Sequence, residues 1–87
     1  MEQKKVTVGE TEYTLQKIMP REWLRLRDRC KNRYGQPVEE NLYTEVLKHI
    51  VVNPKVKVDD FKNFAELEEL VQTAVRFQQG KEDEEQD

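Results

Sequence analysis

The sequence predicts a small, mainly α-helical single domain in which an N-terminal β-hairpin, the minor β part of the fold, precedes three helices. Two runs that alternate apolar and polar residues flank Gly9-Glu10, which is typical of a hairpin. Three later segments repeat their apolar residues at helical spacing. The length of 87 residues suits one domain, which we expect to span residues 1–80. Residues 81–87, KEDEEQD, are acidic and have nothing to bury, so we expect this tail to be disordered.

The hairpin is expected at about residues 4–17, with Gly9 and Glu10 at the centre of its turn. Glycine at the first central position suits a type II′ turn. Such a turn pairs Val8 with Thr11 and Val6 with Tyr13. One face of the hairpin then carries Val6, Val8, Tyr13 and Leu15. Because an isolated hairpin is marginally stable in water, this face must pack on a helix or on a second subunit.

The first helix is predicted from about Pro20 to Arg33, with Tyr34-Gly35 as its C-terminal cap. One side carries apolar residues such as Trp23. The other side carries a row of four arginines: Arg21, Arg25, Arg29 and Arg33. This row has two interpretations, a solvated face that contacts acidic protein and a track for a phosphate backbone. The acidic net charge of −3 favours the first, in which the arginines steer a partner electrostatically.

The central helix is predicted within Pro37–Val52 and has an unusually wide apolar arc. On a helical wheel the arc comprises Val38, Leu42, Tyr43, Val46, Leu47, Ile50 and Val51. A surface helix normally shows a narrower stripe, so this helix should lie between neighbours from its own chain or another. Asn53-Pro54 ends it, since a residue before proline avoids the α region.

The flanks of this arc and the hairpin face are the predicted partner-binding residues. They are Val6, Tyr13, Leu42, Tyr43 and Val51. Tyrosine suits such a surface because it brings a large contact area with few rotamers to lose. The alternative is that all five belong to the domain's own core.

The rest of the chain is predicted as a connector followed by a third helix. Residues 53–60 fit either a short edge strand or an extended connector, and we favour the connector. Asn63 and Glu66 have the spacing of a capping box, although Asp59 or Asp60 can also start the turn. The helix continues to Gln79 and ends at Gly80.

The composition argues against an enzyme and against a metal or cofactor site. The chain has one histidine and one cysteine, and no phosphate-binding glycine loop or serine nucleophile motif. Cys30 cannot form an internal disulfide, and His49 is interpreted as a boundary residue of the apolar arc. There is no long apolar run and no apolar signal sequence, so we expect a cytoplasmic protein without a membrane partner.

Charge is distributed unevenly along the chain. Residues 1–33 hold nine Lys/Arg against five Asp/Glu, whereas residues 34–87 hold six against thirteen. A chain polarised in this way can stack with copies of itself or bind a charged partner. Together with the wide apolar arc, this predicts a homo-oligomer.

Three runs resemble small tail assembly chaperones of long-tailed phages and prophage-like elements of Gram-positive bacteria: YTLQKIMPREWLRLRD, VVNPKVKVDDF and FAELEELV. The resemblance covers roughly residues 6 to 77, and VVNPKVKVDDF carries most of it. It implies a protein that coats the aggregation-prone tape measure protein while tail tube subunits assemble around it. In many members a programmed frameshift gives a longer product that engages the tail tube protein. The resemblance implies no catalytic residues, action in the host cytoplasm and absence from the mature virion.

Two functional hypotheses follow. The first is a non-enzymatic chaperone for the tape measure protein. The second is a small nucleic-acid-associated or regulatory phage protein that uses the arginine-rich helix. Because the chain is acidic overall, we do not expect nucleic acid to be the partner.

Overall fold

The structure, a computed structural model that describes residues 2–81, has a layer of helices on one face of an antiparallel sheet. The strands are β1 (Gln3–Val8), β2 (Thr11–Gln16) and β3 (Val51–Asn53), in that order across the sheet. The helices are α1 (Pro20–Arg29), α2 (Glu39–His49) and α3 (Phe64–Gln79), with a 3₁₀ turn at Val58–Asp60. Of the predicted acidic tail only Lys81 is described; the rest of that prediction lies outside the described residues.

The prediction of a mainly α fold is wrong, because the domain is α+β. About 50% of the described residues are helical and 21% are in strands of a three-stranded sheet. The difference arises at Val51–Asn53, which leaves the helix and pairs with β2. Leu15 pairs with Val51, and Gln16 N–H donates to Ile50 O at 2.8 Å.

The hairpin has the predicted register, with Val8 opposite Thr11 and Val6 opposite Tyr13. Gly9 has φ +63°, and no other described residue except a glycine has a positive φ, which agrees with a type II′ turn. Val8, Tyr13 and Leu15 point into the core, while the alternate positions of β1 and β2 face solvent or lie at its margin. A sheet with one buried and one polar face is the usual antiparallel arrangement.

The end of α1 and the start of α2 both differ from the prediction. α1 ends at Arg29 rather than Arg33, because Cys30 O accepts from Val38 N–H and Lys31 forms a bridge with Pro37. The Asn32 side chain closes this loop by accepting from the backbone N–H groups of Tyr34 and Gln36. α2 begins at Glu39, two residues after Pro37.

The third helix has the predicted bounds. Asn63 caps its start, since its side-chain oxygen accepts from Ala65 N–H at 2.8 Å. Gly80 has φ +72°, and Lys81 N–H donates to Arg76 O at 2.9 Å, as in a Schellman motif. The connector predicted for residues 53–60 is found only at residues 54–57, because Asn53 belongs to β3 and Val58–Asp60 form the 3₁₀ turn. The Asn53–Pro54 peptide bond is cis.

A single hydrophobic core joins the two layers. The least exposed positions of the wide arc, Val46, Leu47, Ile50 and Val51, lie in one cluster with sheet residues and α3 residues. α2 contacts α1, α3 and β3. The arc is therefore sandwiched by the domain's own elements, which is one of the two arrangements predicted for it.

Candidate partner-binding surfaces

Most of the predicted partner-binding residues lie inside the domain. Tyr13 is 5% exposed, Tyr43 7% and Val51 0%, while Val6 and Leu42 are partly buried against the core. The hairpin face packs on the helices, and α3 contacts β1, which is the first of the two arrangements predicted for it. For Tyr13, Tyr43 and Val51 the structure matches the alternative interpretation, that of plain core.

Beside Tyr43 a different aromatic residue reaches the surface. Phe64 is 60% exposed and stacks on Tyr43, with ring centres 6.4 Å apart and 12° between the planes. Burial raises the pKa of Tyr43, and Glu39 and Glu68 act in the same direction, so its hydroxyl stays neutral. Phe64 is the first residue of α3. Its position at the first turn is the signal that it could be exposed.

The predicted row of four arginines is not continuous. Arg21 and Arg25 lie exposed on α1, but Arg29 donates to Glu45 of α2 at 2.8 Å. Arg33 is outside the helix, with its guanidinium 5.8 Å from the centre of the Tyr34 ring. The row is shorter than predicted because α1 ends four residues earlier.

Glu45 has two basic partners, Arg29 of α1 and His49 one turn later on α2, and the first of them ties α1 to α2. Its Oε1 lies 2.8 Å from Arg29 Nη2 and 3.3 Å from His49 Nε2. The Arg29 hydrogen bond, with support from nearby positive charge, holds the pKa of this carboxyl below its ordinary value. Burial and the Glu45 charge raise the pKa of the adjacent Cys30 thiol, so Cys30 is an unreactive core residue.

A groove of about 560 Å³ lies between α2 and the connector that follows β3. Leu47 forms part of its floor, and the half-buried Val56 and Val58 form the opposite wall. Its rim is charged and of mixed sign: Glu40, Lys48, Lys55, Lys57, Asp59 and Asp60. This volume is within the usual range for a ligand pocket and is large enough for a few apolar side chains.

Local hydrogen bonds hold the connector wall of this groove in place. Lys55 Nζ donates to Lys48 O at 2.9 Å and to Val51 O at 3.1 Å, which satisfies carbonyl groups at the end of α2. Lys57 N–H donates to the Asp60 carboxylate at 2.8 Å. Lys55 and Lys57 are exposed, whereas Val56 and Val58, which alternate with them, are half-buried and line the groove. The wall is thus built by the VVNPKVKVDDF run.

A second surface is the outer side of α1. Leu24 is 62% exposed and lies in a shallow depression lined also by Arg21, Arg25, Asp28 and Arg29. The inner side of α1 is anchored by Trp23, whose indole N–H donates to Gln79 Oε1 at 3.3 Å. Arg27, one turn after Trp23, has its guanidinium 5.9 Å from the centre of the Trp23 ring.

Comparison with protein-family models, with curated proteins and with solved structures finds no match for this chain. The resemblance to tail assembly chaperones therefore depends on the sequence runs alone. Within residues 2–81 no three His, Cys, Asp or Glu side chains are grouped so that they could hold a metal ion. In the same part of the chain, no helix has the length and apolar character needed to cross a membrane.

Proposed function

We propose that this protein is a non-enzymatic tail assembly chaperone that binds helical segments of a tape measure protein while tail tube subunits assemble. It would act in the cytoplasm of the bacterial host and be absent from the mature virion. The tail tube protein would be engaged through a longer, frameshifted product, as the resemblance implies.

The observation that carries the proposal is the location of the groove between α2 and the connector. The run that carries most of the family resemblance, VVNPKVKVDDF, supplies the Lys55–Asp60 wall of that groove. These residues are therefore not only core or turn residues, since Val56 and Val58 remain half-buried and face an open space. A shared sequence run that shapes an open groove supports a role in binding.

An amphipathic helix is the partner shape that suits this groove. Helix-in-groove binding places apolar side chains at helical spacing into an apolar depression. The half-buried Val56 and Val58 offer the apolar contacts here. The mixed charges at the rim would set the orientation of the bound helix and oppose wrong contacts, rather than supply most of the affinity.

The nucleic-acid hypothesis loses its main support. Phosphate tracking needs a set of free cations in a row. Arg29 is paired with Glu45, and Arg33 lies in the loop rather than on the helix. Two exposed arginines on one α1 face, in a depression that Asp28 also lines, make a weak phosphate track.

The test is co-expression with helical segments of a tape measure protein. We expect the wild type to keep the segment soluble and Val56→Glu to leave it in the insoluble fraction. A bound helix would remove the new carboxylate from water without giving it a partner, which costs binding free energy. The matched control is Thr7→Glu, on the solvent face of the sheet. Circular dichroism establishes that both variants are folded.

A folded Val56→Glu protein that still keeps the segment soluble would overturn the proposal. If that variant unfolds, the double rim variant Lys48→Glu/Lys57→Glu replaces it, because both residues are at the rim and Lys57 is exposed. Charge reversal at the rim should weaken capture of the segment and change its salt dependence. Unchanged capture by this variant at low and high salt would equally contradict the proposal.

A further inference from the structure

We propose that the outer side of α1 is a docking surface for an acidic peptide, and that its occupant is the chain's own acidic segment, residues 82–87 (EDEEQD). We call this surface the α1 arginine surface and define it by Arg21, Arg25 and Arg27. The inference does not depend on the proposed function, which concerns the groove on the other side of α2.

The α1 arginine surface is available because α1 buries a narrow stripe. Within the helix only Trp23 and Leu26 are buried, and Arg21, Arg25 and Arg27 are exposed. Glu22 and Asp28 are the acidic residues on the same helix, so the arginines outnumber them even when Arg29 is counted with its partner Glu45. The exposed Leu24 adds an apolar contact among these charges.

The end of α3 brings the acidic segment to this surface. Trp23 of α1 donates to Gln79 at 3.3 Å, and Gln78 pairs with the backbone of Ile18 just before α1. Lys81 is held by its hydrogen bond to Arg76 O. Residue 82 therefore follows a point of the chain that lies beside the start of α1.

The length of the segment is sufficient. Six extended residues span up to roughly 20 Å. α1 has 10 residues and is about 15 Å long, and half of the circumference of a helix about 10–12 Å across is roughly 16–19 Å. A chain of this length that leaves beside Trp23 can reach Arg21 and Arg25 on the outer side of α1.

Charge complementarity identifies the occupant. Residues 82–87 carry five carboxylates in six positions, in a chain whose first third is basic. Each exposed ion pair is weak, but a short tether gives the segment an effective concentration in the millimolar range. The docked segment would screen the arginines from other anions and would keep the surface from binding acidic proteins indiscriminately.

The test compares the full-length wild type with a full-length variant in which the five carboxylates are neutralised: Glu82→Gln, Asp83→Asn, Glu84→Gln, Glu85→Gln and Asp87→Asn. The probe is a fluorescein-labelled peptide of ten glutamates. We expect the neutralised variant to bind the probe about tenfold more tightly at low salt, because the competing segment is gone. The difference should disappear near 1 M salt, where charges are screened within about 3 Å.

The location is tested by adding Arg21→Gln and Arg25→Gln to the neutralised variant. This should remove the gained affinity, whereas the matched pair Lys5→Gln and Lys62→Gln, on the sheet and just before α3, should not. Amide chemical shifts of the wild type and the neutralised variant should differ mainly within residues 20–29. Equal probe affinity in the two proteins, or a gain that survives loss of both arginines, would overturn the inference.

Discussion

At the scale of single residues, Glu45 shows that a charged side chain on the polar face of a helix can still join two helices. It sits in the polar side of α2, yet it accepts from Arg29 at 2.8 Å and approaches His49. Arg29 was therefore counted as a steering charge when it in fact joins two helices. Pairing between α1 and α2 could not be read from helical wheels, which describe one helix at a time.

The Arg29–Glu45 pair predicts a specific pH dependence of stability. The pKa of Glu45 is lowered in the folded state from the model-compound value of 4.5, chiefly by the Arg29 hydrogen bond. A lowered carboxyl pKa contributes stability above the unfolded value and loses it as the pH falls through the folded value. Because both side chains are partly exposed, we expect the pair to contribute only about 0.2–1 kcal/mol at neutral pH.

Urea unfolding of the wild type and Glu45→Gln at pH 7 and pH 3 measures this contribution. The wild type should be the more stable protein at pH 7, and the two should converge as the pH falls below 4.5. Glu12→Gln, on the solvent-facing side of the sheet, is the matched control. A stability difference that is the same at both pH values would show that the pair contributes nothing through ionisation.

At the scale of elements, the junction between α3 and the β2–α1 linker depends on one buried amide. Gln78 accepts from Ile18 N–H and donates to Ile18 O, both at 2.8 Å, and thus pairs with the linker as a strand neighbour would. Gln78 is the only buried polar residue among the described residues. The sequence marked this position only as one near the end of an amphipathic helix.

Removing that amide should loosen the junction. Gln78→Ala leaves both Ile18 backbone groups unpaired, and we expect a loss of about 1–3 kcal/mol in the free energy of unfolding. Gln78→Glu retains the acceptor but loses the donor at neutral pH, and it should recover in acid, where the carboxyl is protonated. Urea unfolding measures all three proteins.

The exposed Gln72→Ala is the control for the junction, and it should change stability by less than about 0.5 kcal/mol. If Gln78→Ala were as stable as this control, water would be replacing the amide and the junction would not depend on it.

The second feature at the scale of elements is that Val51–Asn53 form a strand. Ile50, Val51 and Val52 are β-branched and follow a helix directly, so their apolar character fits either a last helical turn or a strand. The free edge of β2 decides between them, because it offers backbone hydrogen bonds to Ile50 O and Asn53. Gln16 and Ile50, which share a backbone hydrogen bond, are about 35 residues apart in sequence. No local sequence pattern indicates a contact between residues so far apart.

At the scale of the whole molecule, the burial of the wide arc changes the reason to expect self-association. The arc is covered by the domain itself, so an uncovered core no longer argues for an oligomer. What remains is a surface with four exposed large hydrophobic side chains, Met19, Leu24, Tyr34 and Phe64, on a chain with oppositely charged halves. Single exposed apolar residues are normal on a protein surface, so it is the opposite charge of the two halves that favours weak association between copies.

We therefore still expect homo-oligomers at micromolar concentration. Light scattering should show a mass above the monomer that falls when salt is raised or when Leu24→Glu is introduced, since both act on the exposed surface. Thr7→Glu is the control for an added carboxylate elsewhere. A monomer at every concentration in the micromolar range would remove the prediction.

What the sequence by itself determined are the features that depend on neighbouring residues. Gly9-Glu10 specified the hairpin and its register, and Asn63 and Gly80 specified the two ends of α3. The apolar periodicity identified the core side of α2. In each case a local backbone preference or a local hydrogen bond is sufficient, so a short stretch of sequence carries the information.

Only the tertiary structure decided where α1 and α2 end, that Val51–Asn53 is a strand, and which apolar residues stay exposed. Each depends on a partner distant in sequence: Cys30 O with Val38, β3 with β2, and the helices with the hairpin face. Tyr13 and Phe64 both occupy apolar positions in the pattern of their strand or helix, so the pattern does not distinguish a buried residue from an exposed one. Whether one is buried and the other exposed is determined by which element packs over it.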